Sequence, residues 1–120
     1  MSTLKVNTIQ NTSGGSGSTP EQIAGGRAKA WGLINMSGAS TLDSFGVSSI
    51  SDQGTGTFNV NFSTALTNVN ACAVATPSVS SLHTQIVDGN CSTSAFQYRC
   101  LDGGGSLADD PFSSFVLFDN

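Results

Sequence analysis

Alternation of apolar and polar residues is clearest in the stretch from Phe45 to Phe62, FGVSSISDQGTGTFNVNF. Its second half sets Phe58, Val60 and Phe62 on one face and Thr57, Asn59 and Asn61 on the other, the two-residue period of a half-buried strand. Before it, a strand from about Leu42 to Ile50 has Phe45 and Val47 on one face and Ile50 on the other. That slip, at Ser48-Ser49, predicts a bulge or a corner. Asp52-Gln53-Gly54-Thr55-Gly56 is the turn between the two strands. Burying Phe58, Val60 and Phe62 is worth roughly 1.5–3 kcal/mol each, yet a lone hairpin is marginal in water. The rest of the chain must supply a second layer.

Further strand patterns lie on both sides. In AKAWGLINM, residues 28–36, Ala28, Ala30, Gly32, Ile34 and Met36 share one face, and Lys29, Trp31, Leu33 and Asn35 share the other. Apolar residues on both faces predict a strand covered twice, by its own core and by a neighbouring subunit. Trp31 is then either an interface anchor or an ordinary core tryptophan. SGAST, residues 37–41, is a turn. Residues 71–79 read as a strand that Pro77 assigns to an edge or a strand end. Residues 83–87 and 94–100 read as a hairpin about Asp88-Gly89-Asn90; Phe96 and Tyr98 share a face with Cys100, and Gln97 and Arg99 face away. Residues 101–111 form a loop, and 112–118 the closing strand. Seven or eight short strands with turns every 8–12 residues or so predict an all-β domain, a small antiparallel β-sandwich of jelly-roll type, over residues 27–120.

Residues 1–26 read differently, as an extended N-terminal arm with one short helix. Leu4, Val6 and Ile9 form an apolar strip, followed by NTSGGSGS, residues 11–18, a linker by composition. A strip of this kind either frays or docks on a partner as an added strand or in a groove. Docking is favoured, because three apolar side chains are costly to leave in water. Thr19-Pro20-Glu21-Gln22 is a capping box with proline in the first turn, and Gly25-Gly26 ends the helix. At barely two turns it cannot hold alone. It serves as a spacer that could cluster about a symmetry axis through Ile23.

Charge sharpens the division. Lys5, Arg27 and Lys29 against Glu21 leave the first 29 residues at +2, and Arg99 against seven aspartates leaves the remainder at −6. An acidic body with one arginine excludes nucleic acid as a main partner. Only 10% of residues are charged, against the usual quarter; Ser, Thr, Asn and Gly take their place, as suits a surface packed against neighbours or exposed outside a cell. No apolar run is long enough to span a membrane, and no secretory h-region follows Met1.

Candidate chemistry is thin. Cys72, Cys91 and Cys100 cannot all pair within one chain; Cys91 and Cys100 either meet across a hairpin or stay as buried thiols. Without C-x-x-C and with His83 as the single histidine, no zinc site is expected. Asp102, Asp109 and Asp110 flank a glycine loop that lacks calcium-loop spacing and reads as a bare acidic loop. No G-x-S-x-G elbow or P-loop is present. Neither a catalytic residue nor a cofactor is expected.

The segments MSTLKVNTIQNTSG (1–14), TPEQIAGGRAKAW (19–31) and DSFGVSSISDQGTGTFNVNFSTAL (43–66) resemble tailed-phage virion proteins, many from marine and cyanobacterial phages, over about half the chain. The resemblance implies a virion structural protein of the short tail-fibre or capsid-decoration type, made in the bacterial cytoplasm and carried on the virion surface, commonly as a homotrimer. The chain departs from long fibres in having no repeat shaft. On this pattern Leu4, Lys5, Val6 and Ile9 dock the arm on a larger virion protein such as the major capsid protein, and Ile23, Trp31 and Leu33 meet neighbouring copies. Tyr98 and Arg99 would face a ligand if the chain were instead a receptor- or glycan-binding module at a tail tip. A small hydrolase is the remaining alternative.

Overall fold

A computed structural model describes residues 2–10, 12–14 and 17–119. A short helix α1 (Pro20–Gly25) precedes eight strands: β1 (Ala30–Asn35), β2 (Ser40–Phe45), β3 (Val47–Asp52), β4 (Thr57–Phe62), β5 (Cys72–Thr76), β6 (Leu82–Ile86), β7 (Ala95–Asp102) and β8 (Ser113–Phe118). They form two four-stranded antiparallel sheets, ordered β2-β1-β8-β5 and β3-β4-β7-β6. The expected all-β sandwich is therefore the fold. The last strand lies between the first and the fifth, so the first sheet is held together by contacts distant in sequence.

Each inner face follows from its alternation. Phe58, Val60 and Phe62 of β4 and Phe96, Tyr98 and Cys100 of β7 are buried against Ala30 and Ile34 of β1 and Phe115 and Leu117 of β8. Tyr98 stacks on Phe58 within its own sheet and meets Phe115 of the other, both at 5.6 Å between ring centres. Phe115 lies opposite Gly32. A Cβ on Gly32 would stand 2.8 Å from that ring, so the glycine supplies its space.

The single strand expected over 42–50 is two strands, β2 and β3, in different sheets. Gly46 divides them at φ +72°, and a side chain there would approach the Lys29 carbonyl to 2.3 Å. The slip at Ser48-Ser49 is a register shift in the β3–β4 pairing between Val47 and Ser49, so the stretch holds both a corner and a bulge. The corner joins the sheets along one side. On the other, β5 and β6 meet, and Thr84 Oγ1 donates to the Ala75 carbonyl at 2.6 Å. Strand β5 stops before Pro77 and is an edge, as the proline required.

Helix α1 carries its full capping box: the Gln22 amide donates to Thr19 Oγ1 at 3.2 Å, and Gln22 Oε1 accepts from the Thr19 amide at 2.9 Å. Gly26 ends it in a right-handed conformation, φ −80°, rather than a left-handed glycine cap. The radius of gyration, 17.2 Å, exceeds the roughly 14 Å of a compact chain this long. The excess comes from the N-terminal segment, where every described residue from 2 to 10 is exposed.

Candidate interaction surface

The two sheets turn opposite characters outward. On the second, outward residues of β3, β4 and β7 bond one another: Asn61 Nδ2 donates to Ser51 Oγ at 2.8 Å and to Ser49 Oγ at 3.0 Å, and Gln97 Nε2 donates to Asn59 Oδ1 at 3.0 Å. Asn90 Nδ2 donates to Gln97 Oε1 at 2.6 Å. This polar face is satisfied before any partner arrives.

On the first sheet one row of paired residues crosses all four strands: Phe45, Trp31, Val116 and Val74 in the order β2-β1-β8-β5. All four share the face turned away from the core. Phe45 and Val74 are each 56% exposed and Trp31 39%. The neighbouring row is Asp43, Leu33, Ser114 and Thr76, and beyond the first row Phe118 pairs with Cys72. Seven of these ten outward positions are thus apolar, and Asp43 is the one carboxylate. The result is a contiguous apolar patch over four strands, the kind of exposed surface on which interaction sites are built.

Trp31 and Leu33 therefore lie together on this face, and Trp31 is not a core tryptophan. Ile23 does not join them. It lies with the arm, because the Ile9 and Ser18 backbones bond each other in both directions at 2.8 Å and turn the chain back along α1. Leu4, Val6 and Ile9 then line an open groove of about 550 Å³ with Pro20, Ile23 and Ala24, and Lys5 and Arg27 stand on it. Leu4 remains 85% exposed and Ile9 53%. Composition alone would have left this linker open; its residues 11, 15 and 16 lie outside the described residues.

Tyr98 does not face a ligand. It is 1% exposed, because its alternation with Gln97 and Arg99 directs it between the sheets, and its hydroxyl has no hydrogen-bond partner among the described residues. Burial first, and then nearby Cys91, push its hydroxyl pKa well above the ordinary value. Arg99 is exposed on the polar sheet.

The acidic loop is not bare. Asp110 is fully buried and accepts from the Ser78 amide at 2.6 Å, from the Ser78 hydroxyl and from the Phe112 amide at 3.2 Å. Asp109 accepts from the Gly56 amide at 2.6 Å, and Asp102 from the Gly104 and Ser106 amides at 2.9 and 2.8 Å. These carboxylates fasten loops by charge-assisted bonds to backbone N–H groups. Sequence reading missed that role; an aspartate two residues before a glycine, as at Asp102 and Asp52, is its local sign.

The cysteines are three free thiols. Cys91 and Cys100 do not pair: Cys91 is half-buried and Cys100 buried, while Cys72 is exposed. Burial first, then the charges of Asp110 and Asp109, raise the Cys100 thiol pKa. Among the described residues no three His, Cys, Asp or Glu side chains are grouped as metal ligands, and no helix is long and apolar enough to cross a membrane. Comparison with family models, curated proteins and solved structures finds no match to the chain.

Proposed function

We propose that the chain is a non-enzymatic structural protein of a phage virion, of the capsid-decoration or cement type, docked by its arm on a larger virion protein such as the major capsid protein. Copies associate with one another, and the polar sheet faces outward. The observation that carries this reading is the contrast between the sheets: one presents a bonded polar array, the other an apolar row fit for burial. The arm adds a second apolar surface bearing Lys5 and Arg27, suited to an acidic rim on its partner.

The test is deletion of residues 1–18. The truncated protein is expected to keep its β circular dichroism and to stop co-sedimenting with particles that the full chain decorates. Undiminished co-sedimentation of the truncated chain would refute docking by the arm.

One observation favours a second reading, a receptor- or glycan-binding module at a tail tip. Phe45 and Trp31 are exposed neighbours on one face, and adjacent aromatic rings can stack on sugars. Binding of purified protein to host cells, abolished by Trp31→Ala, would select it.

A further inference from the structure

The order of side chains in the exposed row carries more than self-association in general. Read across the sheet it runs large, large, small, small: Phe45 and Trp31 on β2 and β1, then Val116 and Val74 on β8 and β5. Such a row matches its own reverse. A second copy turned by 180° about an axis parallel to the strands, between β1 and β8, sets Phe45 over Val74 and Trp31 over Val116 at four places in one interface. Large against small is the arrangement that lets facing layers interdigitate, and aligned stacking is an ordinary way for two sheets to pack.

The neighbouring row is also self-matching under that rotation. Asp43 falls over Thr76 and Leu33 over Ser114, so the carboxylate never meets a second carboxylate; the Thr76 hydroxyl, which donates to the Pro77 carbonyl at 3.3 Å in the single copy, turns from that long bond to donate to Asp43. The rotation parallel to the strands is selected by this pairing. A rotation about the row itself would set Phe45 on Phe45 and Trp31 on Trp31, crowding ring on ring and leaving valine over valine.

We propose that this face is occupied by the same face of a second copy, making a two-fold pair in which Trp31 and Phe45 of each copy fill the ground above the valines of the other. The pair goes beyond the virion reading and replaces the three-fold state which the resemblance implies. Four strands about 4.8 Å apart and six residues at about 3.4 Å each give a face of roughly 400 Å² in plan. Two such faces cover about 800 Å² together, below the roughly 1,000 Å² of a stable contact, so the pair is a weak one that forms and separates with concentration.

The experiment uses the full chain. Sedimentation equilibrium from low to high micromolar concentration is expected to carry the mass from 12.2 kDa to twice that value, and the emission of Trp31, the single tryptophan, to shift to the blue in parallel. Val74→Asp sets a carboxylate over the ring of Phe45 and is expected to hold the mass at 12.2 kDa with no emission shift. Its circular dichroism should be unchanged, since the position is exposed. Thr76→Lys sets a cation over Asp43 of the second copy and is expected to tighten the pair several-fold, an effect lost in high salt. A chain that stays monomeric at all concentrations overturns the proposal. So does a three-fold mass, which would leave the virion reading standing, or a pair that neither substitution alters. Loss of particle binding in the arm deletion, by contrast, tests the virion reading and leaves the pair untouched.

Discussion

Replacing Tyr98 by phenylalanine should make the protein more stable, although the residue is a centrepiece of the core. The substitution keeps the ring that stacks on Phe58 and meets Phe115 and removes a buried hydroxyl without a partner among the described residues. An unsatisfied buried polar group costs about 1–3 kcal/mol, and no hydrogen bond is lost in exchange. A gain of about 1 kcal/mol or more is expected, which for a domain of this size raises Tm by about 4–8 °C per kcal/mol. Alkali supplies a second arm of the same experiment. In the unfolded chain Tyr98 gives up its proton at about pH 10. In the folded chain burial holds the proton to higher pH. The unfolded state therefore binds fewer protons above pH 10, and stability falls with rising pH by about 1.4 kcal/mol per unit from this group. Below pH 10 or so the contribution is fully present. Tyr98 is the single tyrosine, so tyrosinate absorbance reports it alone: it should appear with unfolding, not before. Denaturant unfolding followed by Trp31 fluorescence and circular dichroism gives the stabilities. A loss of 1 kcal/mol or more in Tyr98→Phe, or tyrosinate forming in the folded protein near pH 10, would refute the reasoning.

Asp110→Ala removes the acceptor of three hydrogen bonds that tie Ser78 and Phe112 to the loop before β8. Bonds to a charged group are worth about 1.5–3 kcal/mol each, and Ser78 and Phe112 are exposed enough to regain water, so a net loss of about 2–4 kcal/mol is expected in denaturant unfolding. A loss under 1 kcal/mol would mean that the carboxylate does not hold the loop. Gly46→Ala places a Cβ at positive φ and 2.3 Å from a backbone carbonyl, and should cost about 3 kcal/mol or more. Gly89→Ala, which meets open space without a positive φ, should be within about 1 kcal/mol of the parent; equal effects at the two glycines would contradict the corner.

The alternating period made the core legible. Phe58, Val60, Phe62, Phe96, Ile34 and Leu117 face inward as their two-residue spacing requires, and the capping box and Pro77 placed α1 and the end of β5. What alternation cannot supply is which strands share a sheet. The residues of the exposed row come from positions 31, 45, 74 and 116, and only the β1–β8 and β5–β8 pairings bring Val116 and Val74 beside Trp31. For that reason the shared outward face of Trp31 and Leu33 was legible in the alternation of β1, whereas the place of Phe45 and Val74 beside them was not. Ile23 was separated from them by backbone bonds between Ile9 and Ser18, which leave no mark in a Gly/Ser-rich linker. A ligand-facing Tyr98 follows only from the tail-tip reading's need for an exposed aromatic, whereas its place in the alternation with Phe96 and Cys100 directs it inward. Asp102 and Asp52 carry a local sign in the glycine two residues on, whereas Asp109 and Asp110 bond backbone N–H groups distant in sequence, at Gly56 and Ser78, which no local pattern singles out.

A density map of a decorated particle tests the central claim most directly. Leu4, Val6 and Ile9 are expected in contact with the larger virion protein, with the polar face of Asn59, Asn61 and Arg99 turned to solvent. Finding those three arm residues in open solvent, with the polar sheet making the attachment, would contradict it.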